Sequence, residues 1–223
     1  MSHPEEVGQR RFQPPPDATE ILVLRHGASA PVAPGMLHEL TPDGWGDPDL
    51  APEGVEQAER LARRLELERI DAIFVTTLRR TVQTAAPTVA RTGIEPVVVP
   101  ELAEVHLGEW EGGEYRLRAR RGDPLVLRAL REERWDVIPG AEPAEAFAQR
   151  VRRGIERVVE LTGPGRTAAA FVHAGVIGEI CRQATSSRRF AFVHADNASL
   201  TKLVVFADGR WLLRSFNETT HLD

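Results

Sequence analysis

Apolar residues along the chain recur with two periods. Short continuous runs occupy Glu20–Arg25, Ala72–Val75 and Thr167–Val172. Runs this short, apolar on successive positions, predict strands buried on both faces of a parallel sheet. A further strand is predicted at Pro96–Val99. Elsewhere the spacing is helical. Val55, Ala58, Leu61, Ala62 and Leu65 share one face of a helix that holds Pro52 in its first turn. Another helix is predicted from about Arg79 to Ala90, and a shorter one at Val176–Gln183. Phe147, Val151, Ile155 and Val158 mark a long helix starting near Pro143. At the end, Leu200–Phe206 and Trp211–Phe216 flank the turn-forming residues 207–210, which predicts a hairpin. The alternation of strands and helices predicts an α/β fold: a three-layer α/β/α sandwich with a mostly parallel central sheet and one antiparallel edge strand.

Three stretches have neither period. Residues 1–18 are polar and proline-rich and read as a mobile or surface-draped N-terminal arm. Residues 30–51 read as a long loop. Residues 113–140 read as irregular and charge-dense, with Arg116, Arg118, Arg120, Arg121, Arg128 and Arg131, and form a cap inserted on the sheet, whose arginines read either as a solvated face or as contacts for an anionic substrate. Residues 19–223 are then one domain. Composition agrees, since 42% hydrophobic and 27% charged residues over 223 suit a globular chain with a sizeable core. A net charge of −5 removes the electrostatic case for a general nucleic-acid partner. No apolar run approaches the roughly 18 residues of a membrane span, so no membrane partner is expected. The one cysteine cannot form an internal disulfide. With no apolar leader core in the first 20 residues, a reducing, cytoplasmic setting is expected.

In open α/β sheets ligands bind beyond the carboxyl ends of the strands. Arg25-His26-Gly27 follows the first predicted strand and residues 76–80, ending in Arg80, follow the second. Glu101 and Glu104 follow the third, and His173-Ala174-Gly175 follows the strand ending at Val172. Two histidines, an arginine and a carboxylate thus converge on one sheet edge. Arginine presents a planar fork of donors to phosphoryl oxygens. A histidine beside it can attack phosphorus and hold the group covalently. A second histidine, protonated, adds a charged donor, and a protonated carboxylate can supply the leaving oxygen's proton. The cations are side chains, so no metal or other cofactor is expected.

Several motifs carry a family resemblance. Leu24-Arg25-His26-Gly27-Ala28-Ser29 resembles the opening motif of the histidine phosphatase (phosphoglycerate mutase-like) superfamily. Residues 50–58, 76–85, 102–112, 171–177 and 217–222 resemble its later motifs, in the same order, so that the likeness spans 20–222. The resemblance implies His26 as nucleophile and Glu104 as proton donor. It implies Arg25, Arg80 and His173 as phosphate clamp, with the backbone N–H of Ala174 as a further donor. The Leu-x-Arg spacing selects Arg80 over Arg79, whereas Glu101, Glu109 and Glu111 compete with Glu104 for the acid's role. His3, His38, His106 and His194 read as structural or solvent-facing, and His221 as a residue that caps or packs the tail.

Two departures bear on activity. Val32 stands where many members have Asn, and the loop after His26 offers Ala30, Pro31, Val32, Ala33 and Pro34, none of which grips a second anion. Together with the unfamiliar 113–140 segment, this argues for hydrolysis of a small phosphorylated substrate over mutase transfer. Phosphoglycerate mutase-type transfer and a phosphate-binding protein without turnover are the alternatives; a homodimer stays open. Other classes lack their parts. Cys181 precedes Arg188 by too many residues for a Cys-x5-Arg loop, Asp43, Asp47 and Asp49 lack calcium-loop spacing, and no zinc or nucleotide-loop pattern occurs.

Overall fold

The structure, a computed structural model, describes residues 8, 9 and 11–223. Most of the predicted arm's first half, including His3, lies outside the described residues. Where the arm is described, the Phe12 ring lies under the Arg214 guanidinium at 4.2 Å, and Ala18 is buried at the start of the sheet.

Six strands form one sheet: β1 (Thr19–Arg25), β2 (Ala72–Val75), β3 (Pro96–Val98), β4 (Thr167–Val172), β5 (Leu200–Val205) and β6 (Trp211–Glu218). Their order is β3-β2-β4-β1-β5-β6. The first four in that order pair in parallel, and the terminal hairpin adds antiparallel pairs β1–β5 and β5–β6 at one edge. The antiparallel part therefore lies where the hairpin placed it, with β5 as the reversed strand and β6 at the rim.

The continuous apolar runs divide between two layers because successive side chains of a strand alternate in direction. Ile21, Val23, Phe74, Ala168, Ala170 and Val172 pack against α5 (Ala144–Thr162) and α6 (Ala174–Thr185). Leu22, Leu24, Ile73, Val75, Ala169 and Phe171 pack against α1 (Pro52–Leu65) and α2 (Arg79–Thr92). Each fully buried leucine or isoleucine here contributes roughly 1.5–3 kcal/mol. On α1 the buried face is Gly54, Ala58, Leu61, Ala62 and Leu65. Val55, expected on that face, is 52% exposed. The stripe turns onto Gly54 because α1 starts against the loop after β1, where only a hydrogen side chain fits. A Cβ on Gly54 would lie 2.0 Å from the Ala28 carbonyl, and one on Gly27 would lie 2.4 Å from that of Gly54.

The 113–140 segment is not irregular. It folds as α3 (Glu114–Arg121), α4 (Pro124–Glu132) and a 3-10 turn at Trp135–Val137. The local reason is legible in retrospect. Asp123 caps α4 by accepting from Leu125 N at 2.8 Å, and Pro124 occupies the first helical turn. Trp110, Val126 and Ile138 form a small separate core under these helices. Among the described residues, no helix is long and apolar enough to cross a membrane.

Candidate active site

Sheet register brings the two histidines together. Arg25 pairs with Val172 in the parallel β1–β4 ladder, and His26 N continues it by donating to Val172 O at 3.0 Å. The next residues on both strands, His26 and His173, therefore emerge side by side, with ring centroids 5.2 Å apart. From the neighbouring β2, Thr76 meets His173, with Oγ1 and Nε2 3.0 Å apart. Four residues further on, α2 delivers Arg80, which is buried and donates to Gly46 O at 2.9 Å.

A cleft of about 430 Å³ opens over these strand ends. Arg25, His26, Arg80, Glu104 and Ala174 line it, so five of the expected site residues share one wall. His173 is fully buried and adds no surface to that wall. Arg79 points elsewhere: it pairs with Asp47 and Asp49 in the 30–51 loop. Of the competing carboxylates Glu111 also lines the cleft, but its oxygens are taken by Gly46 N and Leu107 N, both at 2.8 Å. His221 closes the tail, its Nε2 3.0 Å from Ala198 O. Cys181 is buried among apolar side chains, which push its thiol up to about 12.

The protonation of the site follows from burial. His26 Nδ1 lies 2.7 Å from Gly27 O, and because a carbonyl only accepts, Nδ1 carries the proton and Nε2 keeps its lone pair. Desolvation, then the charges of Arg80 and Arg25, hold His26 well below its usual value. The second histidine differs from expectation. Desolvation and the Arg80 charge hold His173 well below its ordinary value as well, so that the protein's own environment disfavours an imidazolium there. A bound dianion would oppose that shift. Glu104 moves the other way: burial raises its pKa above the usual carboxylate range, against hydrogen bonds from Val105 N at 3.0 Å and Gly175 N at 3.3 Å. The Gly175 amide belongs to the first turn of α6, where N–H groups have no intrahelical acceptor; Ala174 N–H is of the same kind.

Three supports escaped the sequence reading. Arg150, on α5, donates to Glu101 O and Ala103 O at 2.7 Å and to Glu104 O at 3.0 Å, while Glu142 neutralises it at 2.7 Å. It fixes the turn that carries Glu104. The segment after α6 holds the end of β1: Ala195 O accepts from Arg25 at 2.6 Å and Asn197 Nδ2 donates to His26 O at 3.0 Å. Arg116, from α3, lines the cleft and donates to Ser29 Oγ at 2.7 Å and Ala30 O at 3.2 Å. His38 and His194, expected to be structural or solvent-facing, also line it, beside Trp45, Tyr115 and Trp135.

The sequence model of the histidine phosphatase superfamily (branch 1) matches residues 21–219. The chain belongs to that superfamily. Among its relatives in the superfamily is a bifunctional protein of Mycobacterium tuberculosis, 30% identical over 92% of this chain. The chain spans 55% of that relative's length. A mycobacterial glucosyl-3-phosphoglycerate phosphatase superposes with a TM-score of 0.72 at 26% identity, covering 91% of this chain and 100% of that one. A phosphoglycerate mutase from Bacillus anthracis superposes with a TM-score of 0.75 at 20% identity, covering 92% and 96%, a likeness of fold. Phosphatases and phosphoglycerate mutases thus both stand among the superfamily members this chain resembles.

Proposed function

We propose that the chain is a phosphomonoester hydrolase that works through a covalent phosphohistidine at His26. The observation that carries this reading is the His26 ring. Its Nδ1–H is committed to Gly27 O, its Nε2 lone pair is free, and its neutral form is favoured, at the buried end of a cleft lined by Arg25 and Arg80. Nε2 attacks phosphorus and the bond to the leaving oxygen breaks. Glu104, whose raised pKa favours the acid form, gives that oxygen its proton. The Gly27 carbonyl stabilises the ring as it becomes a phosphoimidazolium. Water then attacks phosphorus, the Glu104 carboxylate takes the water's proton, and the P–N bond breaks to restore neutral His26. Arg25, Arg80 and the Ala174 N–H hold the phosphoryl oxygens, and their charge is pre-arranged where negative charge builds up. His173 backs the same group from behind the wall, its Nε2 3.0 Å from Thr76 Oγ1.

Mutase transfer keeps one argument of its own. The loop after His26 carries no anion grip in sequence, but Arg116 is hydrogen-bonded to that loop from α3. Product analysis decides between the two: phosphate release faster than interconversion of 2- and 3-phosphoglycerate supports the hydrolase.

The test of the mechanism is to quench turnover of p-nitrophenyl phosphate at alkaline pH and map the adduct by mass spectrometry. An acid-labile, base-stable phosphoryl group on His26 is expected. His26→Ala should lose at least roughly 10⁴-fold in kcat while keeping its circular dichroism. A folded His26→Ala protein with near-wild-type hydrolysis would overturn the mechanism.

A further inference from the structure

Aromatic side chains gather at one place in this chain. Three of its four tryptophans, Trp45, Trp110 and Trp135, and its one tyrosine, Tyr115, line the cleft. Trp110 is 2% exposed and belongs to the small core under α3 and α4, so packing accounts for it. The other three are only half-buried, and they arrive on three separate segments. Trp45 comes from the 30–51 loop, Tyr115 from α3 and Trp135 from the 3-10 turn after α4. Tyr115 and Trp135 meet edge to face at 5.6 Å, and Phe190 backs Trp135 at 4.6 Å, which fixes both rings. Trp45 is fixed separately: its Nε1 donates to Glu104 O at 2.9 Å and its ring meets His106 at 5.1 Å. Leu130, 40% exposed on α4, extends the apolar lining outward.

The charged side chains around these rings are already engaged. Arg116 donates to Ser29 Oγ and Ala30 O, Glu111 accepts from Gly46 N and Leu107 N, and Asp196 accepts from Asn217 Nδ2 at 2.7 Å. The cleft is therefore two-part. His26 and Arg80, 4% and 7% exposed, form its floor with Arg25, and the lining above that floor is largely aromatic. Such a surface complements an occupant with an anionic head and an apolar, ring-bearing body. The placement of Glu104 gives the direction. With the leaving oxygen at its carboxyl group, the leaving part starts beside Trp45, which is bonded to the same residue's carbonyl. The cleft's volume of about 430 Å³ leaves room for that part.

We infer that Trp45, Tyr115 and Trp135 form a subsite for an uncharged aromatic leaving part, so that the substrate is the phosphate monoester of an alcohol carrying an apolar ring. The inference deepens the proposed hydrolase and rests on the floor being the phosphate site. It sets phosphorylated sugars and phosphorylated acids apart from the substrate.

Non-hydrolysable phosphonates test it without turnover. Calorimetry compares 2-phenylethyl- and 3-phenylpropylphosphonate with 3-hydroxypropylphosphonate and 3-phosphonopropionate. Burial of a phenyl ring predicts that at least one phenyl ligand binds about 10- to 100-fold more tightly than either polar one. Tyr115→Leu and Trp135→Leu should each shrink that ratio by about 2- to 10-fold, and Tyr115→Phe, which keeps the ring, should preserve it, with fold checked by circular dichroism. The wild-type comparison stands alone if the leucine variants do not fold: no phenyl preference, or tighter binding of 3-phosphonopropionate, overturns the inference. So does an equal loss for phenyl and polar ligands in folded variants, the result expected of rings that only pack α3 against its neighbours. If no phosphonate binds, the phosphate floor fails and the inference with it, whereas a phenyl preference without turnover of any phosphate ester sinks the hydrolase reading alone.

Discussion

The floor of the cleft and the helices over it are built by different physics. Most floor side chains sit within a residue or two of strand ends or in the first turn of a helix leaving the sheet, and Glu104 stands on a turn after β3 that Arg150 pins. The β1–β4 register places His26 against His173, so neither moves without shifting a ladder buried on both faces. The α3–α4 layer rests instead on a core of Trp110, Val126 and Ile138 and on exposed ion pairs such as Arg128–Glu132. Such pairs contribute about 0–1 kcal/mol each. Aromatic contacts, Tyr115–Trp135 at 5.6 Å and Trp135–Phe190 at 4.6 Å, tie this layer to the loop after α6. A rigid, buried floor suits chemistry common to every phosphomonoester; a lightly held upper layer can vary with the leaving group without disturbing it.

Substitutions in the floor should therefore lower turnover on every substrate, and those above it should not. After loss of His26 itself, the largest effect is expected at Glu104. Glu104→Gln should slow poor leaving groups by roughly 10²–10⁴-fold, and p-nitrophenyl phosphate far less, because a good leaving group needs little proton donation. Burial raises the Glu104 pKa, so the proton-donating form is present below that value and lost as pH rises through it. The neutral form of His26, whose pKa is depressed, is present above its value and lost as pH falls through it. The pH profile of kcat/KM for a poor leaving group should thus have an alkaline limb that Glu104→Gln removes. An unchanged limb would assign it to another group.

Arg80→Ala comes next. Removing one charged donor from the floor should cost about 10²-fold in kcat/KM, and to a similar degree for alkyl and aryl phosphates. Addition of EDTA should leave wild-type activity intact, because the cations invoked are side chains; loss on chelation, restored by Mg²⁺ or Zn²⁺, would break the electrostatic account. The smallest effect is expected above the floor. Asp123→Ala removes the cap of α4 and should lower stability by about 1 kcal/mol, read as a shift in the urea midpoint, while turnover of p-nitrophenyl phosphate changes little. A tenfold loss of that turnover would show that the two regions are coupled and the contrast between them false.

Much of this molecule is local information. Strand runs such as Glu20–Arg25 and the stripe Phe147, Val151, Ile155 and Val158 are set by which side chains can be buried, and burial follows from spacing along the chain. Strand-end placement then carried Arg25, His26 and His173 to one edge, and motif order selected Arg80 and Glu104. The convergence of Arg25, His26, Arg80 and Glu104 on one cleft wall, with His173 buried behind it, rests on this local logic. The α3–α4 helices were within reach too, through Asp123-Pro124, but the density of arginine obscured a short apolar face.

What remained hidden depends on partners far apart in sequence. Arg150 reaches the carbonyl of Glu104, Asn197 reaches that of His26, and Arg116 reaches Ser29 and Ala30. No period or spacing encodes such contacts, because a guanidinium on a helix reads the same whether it faces water or a cleft. The lowering of the His173 pKa by burial and by Arg80 is hidden for the same reason. A histidine's charge is set by the depth of its burial and by the arginines gathered around it, and both exist only once α2, β1 and β4 have come together.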